Sequence, residues 1–132
     1  MSSDMLVSIE TAYISEMDAT NISKRFASII LERYLPGETS LYLYRKDAPF
    51  GKALEYSLRV KGYPISIVED FEIIDNPPSF MVTYEVSDLE ETWVLIRVQV
   101  GPDFMFGRVY TRNGESLTPK SNFTIREKSD ER

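Results

Sequence analysis

The stretch that decides the fold runs from Asp47 to Val68 and reads Asp-Ala-Pro-Phe-Gly-Lys-Ala-Leu-Glu-Tyr-Ser-Leu-Arg-Val-Lys-Gly-Tyr-Pro-Ile-Ser-Ile-Val. Its first half predicts a helix, because Asp47 is a common N-cap, Pro49 suits a first turn, and apolar residues recur at helical spacing. Gly62 predicts the end of this helix, since glycine enters the left-handed conformation without a Cβ clash. Pro64 blocks continuation, and the residues after it predict a short buried strand.

The residues before this stretch complete the pattern. The run Leu41–Tyr44 is a predicted strand, so strand, helix and strand follow one another, and the two strands are expected to be parallel neighbours. An earlier helix is predicted to begin at Asp18 as its cap and to end at Pro36-Gly37. Its expected core face consists of Ile22, Phe26, Ile29 and Ile30.

The last third of the chain predicts strands. Residues 80–86, 92–100 and 104–111 alternate or are rich in β-formers, with turns at residues 87–91 and 101–103 and at Asn113-Gly114. In the longest strand, Val94, Ile96, Val98 and Val100 share the expected core face. A further short strand is predicted at residues 123–125. Residues 69–79 are expected to be irregular, with an isolated apolar group of Phe71, Ile73 and Ile74.

Together these elements predict an α+β fold, with two helices packed on one face of a mixed, mainly antiparallel sheet of five to six strands that includes one β-α-β unit. The 132 residues suit one domain. Residues 1–17 are interpreted as an N-terminal leader or arm, residues 18–127 as the single domain, and residues 128–132 as a frayed tail.

Composition excludes several classes of function. The chain has no cysteine and no histidine, which removes disulfides, thiol nucleophiles and the commonest general base. Its net charge of −6 opposes binding to a nucleic-acid backbone. No apolar run is long enough to span a membrane, and the N-terminus lacks the pattern of a signal peptide, so the chain is expected to be cytoplasmic or to have lost a leader.

The remaining polar residues do not suggest a catalytic centre. Adjacent acids such as Glu90-Glu91 and Glu69-Asp70 are interpreted as solvated turns, and no cofactor or metal motif is present. Gly51 is interpreted as a packing glycine, and Ser57 lacks a base at usable spacing. The protein is therefore expected not to be an enzyme. A small hydrolase or isomerase with a Tyr–Asp pair in a cone-shaped sheet is the remaining enzymatic interpretation.

Aromatic residues are the most suggestive group, with eight Tyr, seven Phe and one Trp. They fit either a core with cross-strand pairs or an exposed face that docks a partner chain. The residues predicted to bind a partner are Trp93, Phe104, Phe106, Arg108 and Tyr110. An unpaired edge strand is the other candidate surface.

Three blocks of sequence resemble one known family. They are Leu35–Leu43, Pro49–Ile65 and Phe106–Tyr110, the last followed by Pro119 and Phe123–Ile125. In order and spacing they are similar to the TrbH family of conjugal transfer proteins, over roughly residues 22–125. The resemblance implies a subunit of a plasmid-encoded type IV secretion apparatus, in the mating-pair-formation group, without established catalytic residues. Members are typically small envelope lipoproteins, but this chain has neither a leader pattern nor a cysteine to carry a lipid.

The resemblance therefore implies a non-enzymatic structural or assembly subunit that docks other secretion-channel subunits. It would act in the periplasm or at the outer membrane if a leader was removed, with membrane contact only through a lipid anchor that this chain lacks. The alternative is a small acidic cytoplasmic chaperone or adaptor for a secreted protein, which the length, the pI near 4.7 and the α+β pattern also suit.

Overall fold

A computed structural model describes residues 6–69 and 75–128, and these residues form one mixed sheet of nine strands with two helices. The α+β class is confirmed. The elements are β1 (Ile9–Glu10), α1 (Glu16–Arg33), β2 (Ser40–Tyr44), α2 (Pro49–Val60), β3 (Ile65–Val68), β4 (Asp75–Asn76), β5 (Ser79–Asp88), β6 (Trp93–Val100), β7 (Phe104–Asn113), β8 (Ser116–Pro119) and β9 (Thr124–Glu127), with a 3-10 turn at Pro36–Glu38. The predicted apolar group of Phe71, Ile73 and Ile74 lies outside the described residues.

Six strands form the main path of the sheet, in the order β3-β2-β5-β6-β7-β8. Strand β2 is parallel to both β3 and β5, and each later neighbour is antiparallel to the one before it. Helix α2 connects β2 to β3, which confirms the predicted β-α-β unit. Three short strands add to this path: β1 and β4 pair with β5, and β9 pairs with β7.

Both helices cover the same face of the sheet. Phe26 of α1 packs on Phe106 of β7, with ring centroids 5.3 Å apart, and Phe50 of α2 packs on Tyr84 of β5 at 5.5 Å. Even-numbered residues of β5, β6 and β7 therefore face the helices, because side chains alternate along a strand. The predicted core face of β6 is confirmed, since Val94, Ile96, Val98 and Val100 are all buried. The opposite face of the sheet, called here the helix-free face, carries the odd-numbered residues of these three strands.

The N-cap of helix α1 lies three residues before the predicted cap, Asp18. This N-cap is Ser15, whose Oγ accepts a hydrogen bond of 3.1 Å from the Asp18 backbone N–H. The prediction that Asp18 caps this helix is wrong, because its carboxylate instead accepts from the backbone N–H of Leu117 in β8, at 3.0 Å. Asp18 thus joins the first turn of α1 to a distant strand.

The predicted cap of α2 is also wrong. The N-cap position is Ala48, and the carboxylate of Glu10 accepts from the N–H groups of Phe50 and Gly51 at 2.7 Å and 3.1 Å. Asp47 instead forms an exposed ion pair with Lys52, 3.0 Å long. The predicted end of the helix is confirmed, because Gly62 has a φ of 101°.

The segment before α1 packs against both faces of the sheet. The buried hydroxyl of Ser8 accepts from the backbone N–H of Tyr84, and β1 continues along β5. On the helix-free face, the Leu6 N–H donates to Oε1 of Gln99, at 2.7 Å. Further along, Ile14 is buried in the core beneath the helices. Residues 6–15 therefore bridge the two sides of the sheet.

Candidate functional site

Three of the five residues predicted to bind a partner lie in the core. Phe104, Phe106 and Tyr110 are 4%, 1% and 3% exposed. They occupy even positions of β7, on the face covered by the helices. Phe26 of α1 packs on Phe106, and Tyr34, directly after α1, packs on Phe104 with ring centroids 6.0 Å apart. Side chains this deeply buried stabilise the fold and are not available on the surface.

Trp93 lies on the other side of the sheet from these three. It is paired with Thr111 across β6 and β7, so its side chain shares the helix-free face with Val109, and Tyr110 points the opposite way. The ring is partly buried, and the ammonium of Lys120 lies 4.5 Å from its centroid. The expectation of one face bearing Trp93 together with Phe104, Phe106 and Tyr110 is therefore wrong.

Arg108 is a partly exposed cation among aromatic rings. Its guanidinium lies 4.3 Å from the ring centroid of Phe123, and its Nε donates to the Ser121 carbonyl at 3.1 Å. Arg25 of α1 lies 5.4 Å from the same ring. Phe123 is thus contacted by two guanidinium groups, an arrangement in which each cation is attracted to the ring electrons.

A groove of about 210 Å³ lies on the helix-free face where β6, β7 and the C-terminal segment meet. Its floor is mainly apolar, and its lining includes three arginines. The lining residues are Leu95, Arg97, Met105, Phe106, Gly107, Arg108, Val109, Ser121, Thr124 and Arg126. Of these residues, sequence reasoning had selected Phe106 and Arg108 and missed the others, because the groove depends on how residues 119–126 pass along the edge of β7.

Gly107 allows the two central strands of the groove to approach closely. A Cβ placed on this glycine would lie 2.4 Å from Cβ of Arg97 and 2.5 Å from the carbonyl oxygen of Ile96. Gly107 therefore marks a point where β6 and β7 lie too close together for a side chain. A larger residue would push β6 away from β7 and deform the floor of the groove.

The electrostatics of the groove are positive. Arg97 pairs with Glu85 of β5 at 2.7 Å, so its charge is balanced within the fold. Among the ion pairs within residues 6–69 and 75–128, neither Arg108 nor Arg126 has a carboxylate partner. Both cations are at least partly exposed. Arg108 is an even-numbered residue of β7, so its guanidinium lies on the helix side over Phe123. Arg126, opposite Met105, is the groove-side cation without a carboxylate partner in the described residues.

The tyrosines of the core are held in their protonated form. Burial raises the pKa of Tyr110 and of Tyr63 to about 12, and it raises the pKa of Tyr84 further. The Tyr84 hydroxyl accepts from the Lys46 N–H at 2.7 Å, and the Tyr63 hydroxyl donates to the Tyr34 carbonyl. These hydroxyls are thus structural partners of the backbone. Within the described residues, no group of three or more acids is placed to hold a metal ion.

This geometry defines an α+β domain with one fully covered sheet face and one grooved, partly open face. The family model described as conjugal transfer protein TrbH matches residues 1–129. The chain therefore belongs to the TrbH family of conjugal transfer proteins, which links it to conjugation and type IV secretion. This family is not a known enzyme family, and it suggests a location in the cell envelope or periplasm.

Other comparisons add nothing to this family assignment. No curated protein and no solved structure matches the chain. Neither helix in the described part of the chain is long and apolar enough to cross a membrane.

Proposed function

We propose that this protein is a non-enzymatic assembly subunit of the conjugation apparatus, which docks another subunit of the secretion channel on its helix-free face. The observation that carries the proposal is the contrast between the two faces of the sheet. One is filled by two helices, while the other presents a groove with a partly exposed apolar and cationic lining. The membership in the TrbH family supports a role in conjugal transfer.

The groove has the composition of an interface core. Aromatic residues, Met and Arg are enriched where proteins bind one another. Trp93 lies beside the groove on the same face, two positions from Leu95, while Met105 and Arg97 line it. Trp93 thus remains a candidate for partner binding on this face. The Arg108 guanidinium lies on the helix side over Phe123, and the other three residues of the predicted set lie in the core.

Site-specific photo-crosslinking in cells that carry the intact transfer system tests this proposal. A photoreactive residue at Leu95 or Val109 would report on the helix-free face, and one at Tyr56 would report on the outer surface of α2, where the native side chain is 69% exposed. We expect adducts with other channel subunits from the first two positions and none from Tyr56. Adducts from Tyr56 alone, or equal adducts from all three, would contradict docking on the helix-free face.

The same experiment separates the alternative function. A cytoplasmic chaperone or adaptor would give adducts with a secreted cargo protein in the soluble fraction, and it would give none with envelope subunits. No observation on the fold or the groove favours that alternative over docking in the envelope.

A further inference from the structure

We propose that Arg25, Arg108 and Phe123, on the helix side of the sheet, form a binding site for a phosphate group that carries two negative charges. The two guanidinium groups donate hydrogen bonds to the phosphate oxygens, and the Phe123 ring orients them. The site lies on the opposite side of the sheet from the groove floor at Leu95 and Val109. This proposal therefore goes beyond the docking function and can fail independently of it.

Phe123 brings together one cation from a helix and one from a strand. Its ring packs on Phe26 of α1 and on Phe106 of β7, with centroids 5.2 Å and 6.2 Å apart, so it is anchored to the covered face of the sheet. The guanidinium carbon of Arg108 lies 4.3 Å from the Phe123 centroid, and that of Arg25 lies 5.4 Å from it. The two guanidinium carbons are thus no farther apart than these two distances combined. The exposed side chain of Arg25 can turn towards an anion that Arg108 already holds.

Neither cation is neutralised by a neighbouring acid. No ion pair within residues 6–69 and 75–128 includes Arg25 or Arg108. The carboxylate of Asp18, two turns before Arg25 on α1, accepts instead from the backbone of β8, and Glu127 of β9 is paired with Arg33. Two like charges over one ring repel each other, and an anion bound to both would convert this repulsion into attraction.

Tyr110, next to the cluster, is affected by the same two charges. Burial raises the pKa of Tyr110 to about 12, while the positive charges of Arg108 and Arg25 act against this rise. The guanidinium of Arg108 also lies 5.6 Å from the centroid of the Tyr110 ring. The positive charge of the helix and that of the strand are therefore concentrated on one small area between α1 and β7.

The number and kind of donors favour a phosphate group over a carboxylate. The Nε of Arg108 donates to the Ser121 carbonyl at 3.1 Å, which fixes the guanidinium and leaves N–H groups at its terminal nitrogens. A guanidinium fork matches two oxygens of a phosphate or a carboxylate, and a fixed fork loses less freedom on binding. A terminal phosphate group carries about −1.5 to −2 charges at pH 7, so it can balance both arginines. A carboxylate can balance only one of them.

Nuclear magnetic resonance of the arginine side chains measures this binding directly. The full-length protein, labelled with nitrogen-15, is titrated with inorganic phosphate or with acetate while sodium chloride keeps the ionic strength constant, because salt screens exposed charges. We expect saturable shifts of the Nε–H signals of Arg25 and Arg108 and of the backbone amides of Ser121 and Phe123. Phosphate should bind at least about tenfold more tightly than acetate, a difference of about 1.4 kcal/mol.

Substitution of either arginine locates the site. Arg25→Gln removes an exposed fork and should weaken phosphate binding at least about fivefold, and Arg108→Gln should weaken it to a similar extent. Lys24→Gln, the adjacent exposed cation on α1, removes the same charge and should change the affinity less than twofold. Circular dichroism checks that each variant is folded. Equal affinities for phosphate and acetate, absence of saturation, shifts spread over arginines outside the cluster, or unchanged affinity in Arg25→Gln would overturn the proposal.

A second set of measurements identifies the source of the phosphate group. Vesicles of phosphatidylcholine that contain phosphatidic acid present the same group at a lipid surface. Binding to these vesicles that free phosphate displaces, and that Arg25→Gln loses, would support the site and assign it to a lipid headgroup. Binding of free phosphate without binding of the vesicles would support the site and assign it to a soluble phosphate compound.

Binding to the vesicles that neither free phosphate nor Arg25→Gln reduces, in a protein whose arginine signals do not respond to phosphate, would reject the site.

Discussion

Gly51 lies where α2 passes close to Tyr84 of β5, and a side chain would not fit there. A Cβ at this position would lie 2.2 Å from the Tyr84 hydroxyl and 3.0 Å from the carbonyl oxygen of Lys46. Tyr84 is fully buried, so its ring has little room to move. The sequence suggested a packing glycine, but the identity of the residue packed against it depends on the tertiary structure.

We expect Gly51→Ala to lower the free energy of unfolding by roughly 1–3 kcal/mol, the usual cost of an extra methyl group in a filled core. In an exposed helix the same change would stabilise by up to about 1 kcal/mol, because Ala favours helices more than Gly. A lower free energy of unfolding would therefore indicate a clash with Tyr84, and a higher one would indicate that the methyl group fits. Urea denaturation followed by circular dichroism measures the change.

Two variants control this prediction. Gly37→Ala should have a small effect, because a Cβ there would meet nothing within 4 Å. Adding Tyr84→Phe to Gly51→Ala removes the hydroxyl that clashes. The double variant should therefore lose less free energy of unfolding than the two single variants lose in sum. Strict additivity would show that the alanine is accommodated without contact with Tyr84.

Glu10 makes the stability depend on pH in an unusual direction for a carboxylate. Burial raises the pKa of Glu10 above 4.5, although hydrogen bonds from Phe50 and Gly51 act against the rise. Because the folded state then binds the proton more readily than the unfolded state, the contribution to stability is complete below the unfolded pKa. It is lost as the pH rises through the folded pKa.

We therefore expect the advantage of the native protein over Glu10→Gln in the free energy of unfolding to be greater at pH 4 than at pH 7. Glutamine has one acceptor oxygen and does not titrate, so the stability of the variant does not follow the ionisation of residue 10. Denaturation series at several pH values give the difference. A Glu32→Gln variant on the exposed side of α1 controls for the change in net charge. An advantage that grows towards pH 7 would mean that the bonds to α2 outweigh burial.

At the scale of elements, a pair of serines joins the two helices. Ser23 of α1 and Ser57 of α2 are both buried, and their hydroxyl oxygens are 3.0 Å apart. The Ser23 hydroxyl also contacts the Thr20 carbonyl at 3.1 Å. Ser57, which lacked a catalytic base in the sequence, thus has a structural partner on the neighbouring helix.

We expect Ser23→Ala and Ser57→Ala each to cost about 1–2 kcal/mol, since each leaves a buried hydroxyl or carbonyl without this bond. The double variant should cost less than the sum, by about 0.5–1.5 kcal/mol, because both partners are then removed. Equilibrium denaturation of the four proteins measures the coupling. A coupling near zero would show that the hydroxyls make no net bond between the helices.

The elements themselves were largely predictable, and their long-range partners were not. Strand alternation and the residues Gly62 and Pro64 gave β2, α2 and β3 in their observed order. The cap of α2 escaped prediction because it comes from Glu10, 40 residues earlier in the chain. Local sequence reasoning selects the nearest suitable acid, here Asp47, and it has no means of choosing a distant one.

The candidate site shows a different limit. Val100 lies opposite Phe104 across the turn at residues 101–103, and this register places Trp93 opposite Thr111. With the register known, alternation puts Trp93 and Tyr110 on different faces. The residue types indicated an aromatic cluster correctly, but only the pairing of β6 with β7 decided which members are buried. The groove itself required the path of residues 119–126, which composition does not encode.

At the scale of the whole molecule, the N-terminal segment joins the sheet to the helices. Ser8 bonds to β5, Glu10 bonds to α2, and Ile14 fills the core beneath the helices. The sequence was interpreted here as a leader or an arm. Its apolar periodicity is weak because its contacts alternate between the sheet edge, the helix-free face and the core.

Truncation tests how much the molecule depends on this segment. A chain whose first native residue is Thr11 loses the bonds of Ser8 and Glu10 and the pairing of β1, and it leaves the N–H groups of Phe50, Gly51 and Tyr84 without these partners. At about 1 kcal/mol for each lost hydrogen bond, we expect a loss of roughly 3 kcal/mol or more in the free energy of unfolding. Denaturation followed by the fluorescence of Trp93 measures this loss of stability. The Trp93 side chain lies on the opposite side of the sheet from α2.

A chain whose first native residue is Leu6 is the matched control, because it keeps every contact described here and should unfold within about 0.5 kcal/mol of the full chain. Fluorescence and far-ultraviolet circular dichroism should give one midpoint in that control, as in a cooperative two-state transition. Equal stability of the two truncated chains would show that residues 6–10 are a dispensable arm. The segment would then be available to bind a partner, because the fold would not depend on it.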